Sequence, residues 1–294
     1  MPLRARRVSF VPAREIVEEL REALKDRTAA KPDWVTFVGS GEPTLHRDLG
    51  WMIRQVKEIT SIPVAVITNG SLLGDAALRN ELLLADAVLP TLDAGEEALY
   101  RTINRPHPWF SFQRHLDGLI AFRQEYPGRL WLEVMLVKNL NDSEEALNAI
   151  HQAVQQIQPD QVHLSLPLRG PAEPWVLPAG SDGLERAARI LGQSARVLSP
   201  IPEGVLLRTE EGMEEAVLRI VRRHPMEQGE LLRAIENAME NIAPGQALEL
   251  LETLARSGRA QAVTRFGRRF WTAGGARFVP LAAASGAPHP QGRA

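Results

Sequence analysis

Residues 34–45, WVTFVGSGEPTL, decide the fold. Residues 35–38, rich in β-branched and aromatic side chains, read as a buried strand. Gly39, Ser40 and Gly41 make a small-residue turn, Glu42 adds one carboxylate, and Pro43 stiffens the turn. A helix begins near Arg47 or Asp48. Strand, glycine turn and helix make the βα unit of α/β proteins, in which ligands sit at the carboxyl ends of strands. A carboxylate in such a turn suits an ammonium or a hydroxyl rather than a phosphate. A glycine-rich loop by itself reads equally as a tight turn with a solvated acid.

Outward from this stretch the chain alternates. Pro12 opens a helix that places Ile16, Leu20 and Leu24 on one face, and Leu49, Ile53, Val56 and Ile59 mark the next helix. Residues 64–67 are a continuous apolar strand of the parallel, buried kind, ending in Thr68-Asn69-Gly70. Leu78, Leu82 and Leu83 form a short helix. Residues 87–93 are a strand that Pro90 makes irregular. A polar and aromatic segment, 100–112, precedes a helix capped by Ser111. Residues 131–137 are a strand with Glu133 inside it. Asn141-Asp142-Ser143-Glu144 caps a helix that buries Leu147, Ile150, Val154 and Ile157. Residues 161–167 give a fifth strand. Alternation alone permits a barrel or an open doubly wound sheet.

Four stretches come in a telling order: VTFVGSGEPTL (35–45), VITNGSLL (66–73), VLPTLDA (88–94) and INRPH (103–107). Together they resemble the radical SAM superfamily, and within it the Fe–S oxidoreductase group related to the wyosine-type tRNA-modifying enzymes, over about residues 7–174. The resemblance implies an α/β fold, a partial (β/α)6 barrel. It implies S-adenosylmethionine held by a GGEP-like turn at Ser40, Gly41, Glu42 and Pro43, with Ser40 where the family has glycine. It also implies oxidoreductase-type radical chemistry with a [4Fe–4S] cluster and a reducing electron donor. The family holds that cluster on three cysteines, C-x-x-x-C-x-x-C, after the first strand. This chain has no cysteine. The expectation is a barrel missing its first strand and cluster loop, through a start-site error, a shortened sequence or a real loss, and catalytically silent as written. Two other readings stay open: a non-catalytic barrel with a second domain, acting as a ligand sensor or regulator, and an ordinary barrel enzyme using Glu42, Asp93 and Glu133 as acid and base.

The resemblance places Thr68, Asn69, Asp93 and Glu133 around the cofactor and Arg105 in a loop that takes a carboxylate or phosphate. Each has a plainer reading. Thr68-Asn69-Gly70 is an ordinary turn, Asp93 an N-cap for residues 95–102, and Arg105 a loop ion pair. Glu133 lies among apolar neighbours, so it points into the barrel or pairs with an arginine. His163, Ser165 and Arg169 alternate along the last strand, share a face and line the substrate mouth, or His163 is a core histidine. No histidine or carboxylate spacing makes a metal pair of His107 and His163.

With 294 residues, 44% of them hydrophobic, there is room for a large domain and a smaller one. Net charge is −2, which implies no global attraction to nucleic acid or membrane. Without cysteine there is no disulfide, thiolate zinc site or thiol nucleophile. No signal peptide or membrane span is visible, and a cytoplasmic protein is expected. Residues 1–208 read as the barrel with a proline-broken closing segment that holds one helix, about 183–194. Residues 209–280 read as three helices and a hairpin resembling a winged helix, and 281–294 as a disordered tail. Arg259, Arg265, Arg268, Arg269 and Arg277 gather in the hairpin region, but the would-be recognition helix, 246–256, is apolar and acidic. That favours a protein contact over nucleic acid.

Overall fold

A computed structural model describes residues 6–25, 32–39, 41–167, 173, 175–198, 207, 212–223, 225–239, 245–265 and 268–275. The chain divides into two compact units, Met1–Leu166 with Pro178–Ser199, and Pro167–Leu177 with Pro200–Ala294.

In the first unit, β1 (Val35–Phe37), β2 (Val64–Thr68), β3 (Ala87–Pro90), β4 (Arg129–Met135), β5 (Gln161–Ser165) and β6 (Ala195–Val197) form one sheet. Each strand lies beside its predecessor and every pair is parallel. Parallel neighbours need crossovers. These are α2 (Leu49–Ile59), α3 (Ala76–Leu82), α4 (Glu97–Ile103) with α5 (Phe112–Glu125), α6 (Glu144–Ile157) and α7 (Ser181–Leu191), while α1 (Ala13–Lys25) leads into β1. Caps start two of them, α5 and α6, where the sequence places them. Ser111 accepts the Arg114 N–H and Ser143 the Ala146 N–H, each at 3.2 Å.

The two faces of the sheet differ by strict alternation. Along β4, Leu130, Leu132 and Val134 are fully buried in the core beneath the helices, and Arg129, Trp131, Glu133 and Met135 take the other face. That other face is concave. The indole of Trp34, one residue before β1, meets that of Trp131 with centroids 5.7 Å apart. A flat sheet would hold β1 and β4 about 14 Å apart, so the sheet curls.

Three elements depart from the sequence pattern. The strand expected to be buried over 35–38 is β1, Val35–Phe37, an edge strand with no buried residue, and Val38 beyond it is exposed. A sixth strand, β6, follows α7 where the prolines suggest closing structure and linker. It has only three residues, none of them buried, so it carries no alternation to read. Residues 97–103 form α4 with Glu96, not Asp93, at its N-cap. Pro90 does interrupt its strand. Val88↔Leu130 and Thr91↔Glu133 keep one register against β4, with Leu89 and Pro90 unpaired between them, as a residue without an N–H requires.

The second unit runs α8 (Met213–Arg223), β7 (Met226–Glu227), α9 (Gln228–Ala238), α10 (Gln246–Arg256), β8 (Ala260–Arg265) and β9 (Arg268–Ala273), with an antiparallel sheet ordered β7-β9-β8. Val217, Leu231, Ile235, Leu251 and Trp271 are fully buried together. The Trp271 indole N–H finds Gln228 Oε1 at 3.1 Å. Arg259, one of the basic residues near the hairpin, is paired with Glu214 and Glu215 of α8. The tail 281–294 lies outside the described residues.

Candidate functional site

The turn after β1 is held by its own carboxylate. Glu42 Oε1 accepts the Thr44 N–H at 3.0 Å and the hydroxyls of Thr44 and Thr68 at 2.6 Å each. Its Oε2 accepts the Asn69 N–H at 2.7 Å. The residue caps one turn of 3-10 helix, Pro43–Leu45, and ties the end of β1 to the end of β2. A carboxylate has about four lone-pair sites, and four donors already point at this one. Nothing approaches a Cβ built on Gly41 within 4 Å, so the turn is open on that side. Ser40 lies outside the described residues.

Arg7 braces the same turn from outside. Its guanidinium bonds Glu81 through both carboxylate oxygens, at 2.7 and 2.6 Å, and the carbonyls of Thr44 and His46 at 3.0 Å each. Beneath the next turn, His115 is 2% exposed and its Nε2 lies 3.0 Å from the Thr91 carbonyl. Gly70 has φ +72°, and a Cβ there would come within 2.9 Å of the His115 ring. Burial pushes the His115 pKa down to about 4.

At the end of β3, Asp93 is 4% exposed. Its Oδ1 accepts the Met135 N–H at 2.8 Å and its Oδ2 the Asn104 side-chain amide at 2.9 Å. Burial pushes its pKa up to about 7, and the nearby charge of Glu133 adds to the rise. Asn141, wholly buried, donates to the carbonyls of Asp93 and Met135 at 2.8 Å each and accepts the Val137 N–H at 2.7 Å. Asn141 therefore knits the ends of β3 and β4. Glu133 is half-buried on the concave face and accepts the Ser165 hydroxyl at 3.0 Å.

The sheet register lines up Thr91, Glu133, His163 and Arg196 as neighbours on successive strands. His163 is bonded to Gln161 at 3.0 Å and lies 5.4 Å from the Trp131 ring, and burial holds its pKa below the usual value. The structure thus brings Glu42, Thr68 and Asn69 into one bonded cluster and joins Glu133 to Ser165. Arg105, exposed with φ +48°, comes after α4 on the loop that begins at Asn104. Arg169 lies outside the described residues. Arg7 and His115 carry no motif signal, and Asn104 lies in the INRPH stretch, which marks the loop but not its bond to Asp93. Asn141 sits inside a capping sequence, which hides its role.

Among the described residues no Lys, Arg or His comes within ion-pair distance of Glu42, Asp93 or Glu133. No group of three or more His, Cys, Asp or Glu among them is set to hold a metal ion. With no cysteine in the chain, its residues do not fit a thiolate-held [4Fe–4S] cluster. No helix among the described residues is long and apolar enough to cross a membrane.

A curled parallel α/β sheet with a GEP turn after a strand defines a class, and sequence comparison supplies its name. The chain belongs to the radical SAM superfamily, whose profile matches residues 4–150. It is 30% identical over 235 residues to a UPF0026 protein of Methanocaldococcus jannaschii, covering 79% of this chain and 73% of that one. It is also 35% identical over 250 residues to a Brachyspira hyodysenteriae protein named GTPase Obg, covering 84% of this chain but only 36% of that one. The chain therefore spans about a third of that relative's length. Among solved structures, a radical SAM methyltransferase from Sphaerobacter thermophilus matches with a TM-score of 0.51 and 20% identity, covering 64% of this chain and 57% of that one. The likeness is one of fold. Membership implies S-adenosylmethionine and a [4Fe–4S] cluster in the family, and this chain has no cysteine for the latter.

Proposed function

We propose that the carboxyl ends of β1 to β4 bind S-adenosylmethionine, and that the chain as given does so without catalysing its cleavage. The observation that carries this is charge. Glu42 and Glu133 stand at one end of a concave sheet with no cation within ion-pair distance among the described residues, and Asp93, which keeps its proton to about pH 7, stands with them. S-adenosylmethionine carries an ammonium, a sulfonium and one carboxylate, a net charge of +1 that suits such a mouth. Glu42, with its four bonds made, shapes the turn of Ser40, Gly41 and Pro43 against which the ammonium lies, and Thr68 and Asn69 hold that turn from β2. Glu133 takes ribose hydroxyls. Asp93 sets the strand ends around it. Arg105, His163 and Ser165 meet the unknown substrate, and Arg169, outside the described residues, is assigned to the same role from the sequence alone.

In the family the cofactor supplies radical chemistry started by an electron from the cluster. The residues of this chain do not hold that cluster, and no reaction step is assigned to it. We further read the first unit, with β6 as a sixth strand beyond the five read from the sequence, as a partial radical SAM-type barrel and the second unit as winged-helix-like. The order helix, strand, two helices and hairpin supports the latter. The second reading, a ligand sensor or regulator, is favoured by the lack of cysteine.

Calorimetry tests the binding. S-adenosylmethionine is expected to bind at about 0.1–1 mM, a free energy of about −5.5 to −4 kcal/mol. S-adenosylhomocysteine, which lacks the sulfonium charge, is expected to bind more weakly by about tenfold. Glu42→Ala and Glu133→Gln, each checked for native circular dichroism, should both weaken binding. Equal binding of the two ligands, or indifference to both substitutions, sinks the reading. Appearance of 5′-deoxyadenosine after incubation with iron, sulfide and dithionite would overturn the silent assignment alone.

A further inference from the structure

The amino ends of the strands carry a recess of their own, at the far end of the sheet from the GEP turn. Its volume is about 620 Å³, within the range of small-molecule sites. Trp34, Pro63, Leu83, Leu84 and Pro127 give it apolar walls. Three cations and two acids also line it, and four of these five are paired. Lys57 bonds Asp86 at 2.7 Å, and the other oxygen of Asp86 accepts the Val64 N–H at 2.7 Å. Arg123 bonds Asp160 at 2.9 Å, and the same oxygen takes the Leu130 N–H at 2.7 Å. Each acid is thus bound to one cation and one backbone amide.

The fifth group is Arg129, the first residue of β4. Among the described residues its guanidinium has no carboxylate within ion-pair distance and no hydrogen-bond acceptor. It lies instead over two indoles, 5.8 Å from the ring of Trp34 and 5.8 Å from that of Trp131. A guanidinium laid on aromatic faces keeps its N–H edge outward, in the fork geometry that matches a carboxylate. The floor beside it is rigid. The Tyr126 hydroxyl bonds the Ala85 carbonyl at 2.8 Å, and a Cβ on Gly128 would come within 2.4 Å of that hydroxyl.

We propose that this recess binds a small monocarboxylate with a planar apolar body, its carboxylate on the Arg129 fork and its body against Trp34 and Leu84. One surplus positive charge selects a monoanion, and the apolar walls select the body. The site is separate from the S-adenosylmethionine reading and stands or falls without it.

Calorimetry on the full chain, with benzoate as the probe, tests this. Benzoate is expected to bind saturably, and neutral benzamide and inorganic phosphate to bind about tenfold more weakly or not at all. Arg129→Gln should weaken benzoate by about tenfold or more. Leu84→Asp puts a negative charge at the half-exposed rim, leaves every bond above in place, and should weaken it likewise; it decides the matter if Arg129→Gln does not fold. Non-saturable benzoate, benzamide or phosphate binding as well as benzoate, or wild-type affinity in the folded variants, each overturns the proposal.

Discussion

The two ends of the sheet use one device in opposite electrical settings. At each end a carboxylate reaches sideways to accept a backbone N–H from the adjacent strand. Before the strands, Asp86 takes Val64 and Asp160 takes Leu130. After them, Glu42 takes Asn69 and Asp93 takes Met135. At the amino end each acid also has a cation, Lys57 or Arg123. There burial alone would raise the Asp86 carboxyl, but its bonds to Lys57 and the Val64 amide hold it below the ordinary range. At the carboxyl end neither acid has a cation among the described residues, and Asp93 rises to about 7. A clamp with its cation finishes a fold. A clamp without one either keeps its proton, as Asp93 does, or leaves charge for a ligand to answer.

The sharpest way to break this comparison is the pH dependence of stability. Asp93 keeps its proton to about pH 7 when folded and to about 3.9 when unfolded. Its ionisation therefore lowers stability as pH rises from about 4 to 7, by at most ~4 kcal/mol. His115 works the other way. Its folded pKa is about 4 and its unfolded value about 6.5, so stability is lost as pH falls between them, by at most ~3 kcal/mol. The two slopes oppose one another in the wild type. Asp93→Asn keeps an acceptor for the Met135 N–H and removes only the first slope. Urea midpoints of the variant should rise from pH 4.5 to 6.5 while those of the wild type stay nearly level. A variant as flat as the wild type would show that Asp93 is not the neutral, buried acid described.

Next in size is the contrast between clamps. Glu42→Ala strips acceptors from two buried hydroxyls and two N–H groups and is expected to cost about 3 kcal/mol. Asp86→Ala strands one N–H and a part-exposed lysine, for about 1–2 kcal/mol. Equal losses in denaturant titrations would mean that the four-bond cluster at Glu42 is looser than drawn. The smallest effect sharpens the electrical half of the comparison. The Lys57 and Asp86 side chains are 40% and 37% exposed, so Lys57→Met should cost under about 1 kcal/mol. That cost should disappear in 1 M salt, where the Debye length is about 3 Å, while the Glu42→Ala cost persists.

The alternation of strand and helix is legible in the sequence because burial on both sheet faces and amphipathic crossovers leave opposite periodicities in the chain. Residues 64–67 and the spacing of Leu147, Ile150, Val154 and Ile157 are cases. Glu42 is legible as special through its turn, but its four bonds are not. Two are local, from Thr44, but the other two depend on Thr68 and Asn69, brought beside it only by strand pairing. Asp93 is half legible: a polar residue ending a strand can cap the next helix, and only the β4 register shows that it bonds Met135 instead. β6 escapes because three residues carry no period, and Asn141 because a capping box masks a buried asparagine. Arg129 beside Trp131 is legible from strand alternation, but its contact with Trp34 is not, since only the folded sheet brings that residue beside it.

Strand order has a consequence for how the chain assembles. Each strand of the large sheet pairs with the one made just before it, Val35 with Val64, Ala65 with Ala87, Trp131 with Gln161, Val162 with Ala195. The closures differ in length, the shortest running from Ala65 to Ala87 and the longest from Ala87 to Arg129, but none waits for more than the next strand made. A ribosome-bound chain can add strands one at a time as they emerge. The small sheet cannot. Met226 of β7 pairs with Trp271, which is made after two helices and β8, so that sheet closes only when its hairpin has been synthesised.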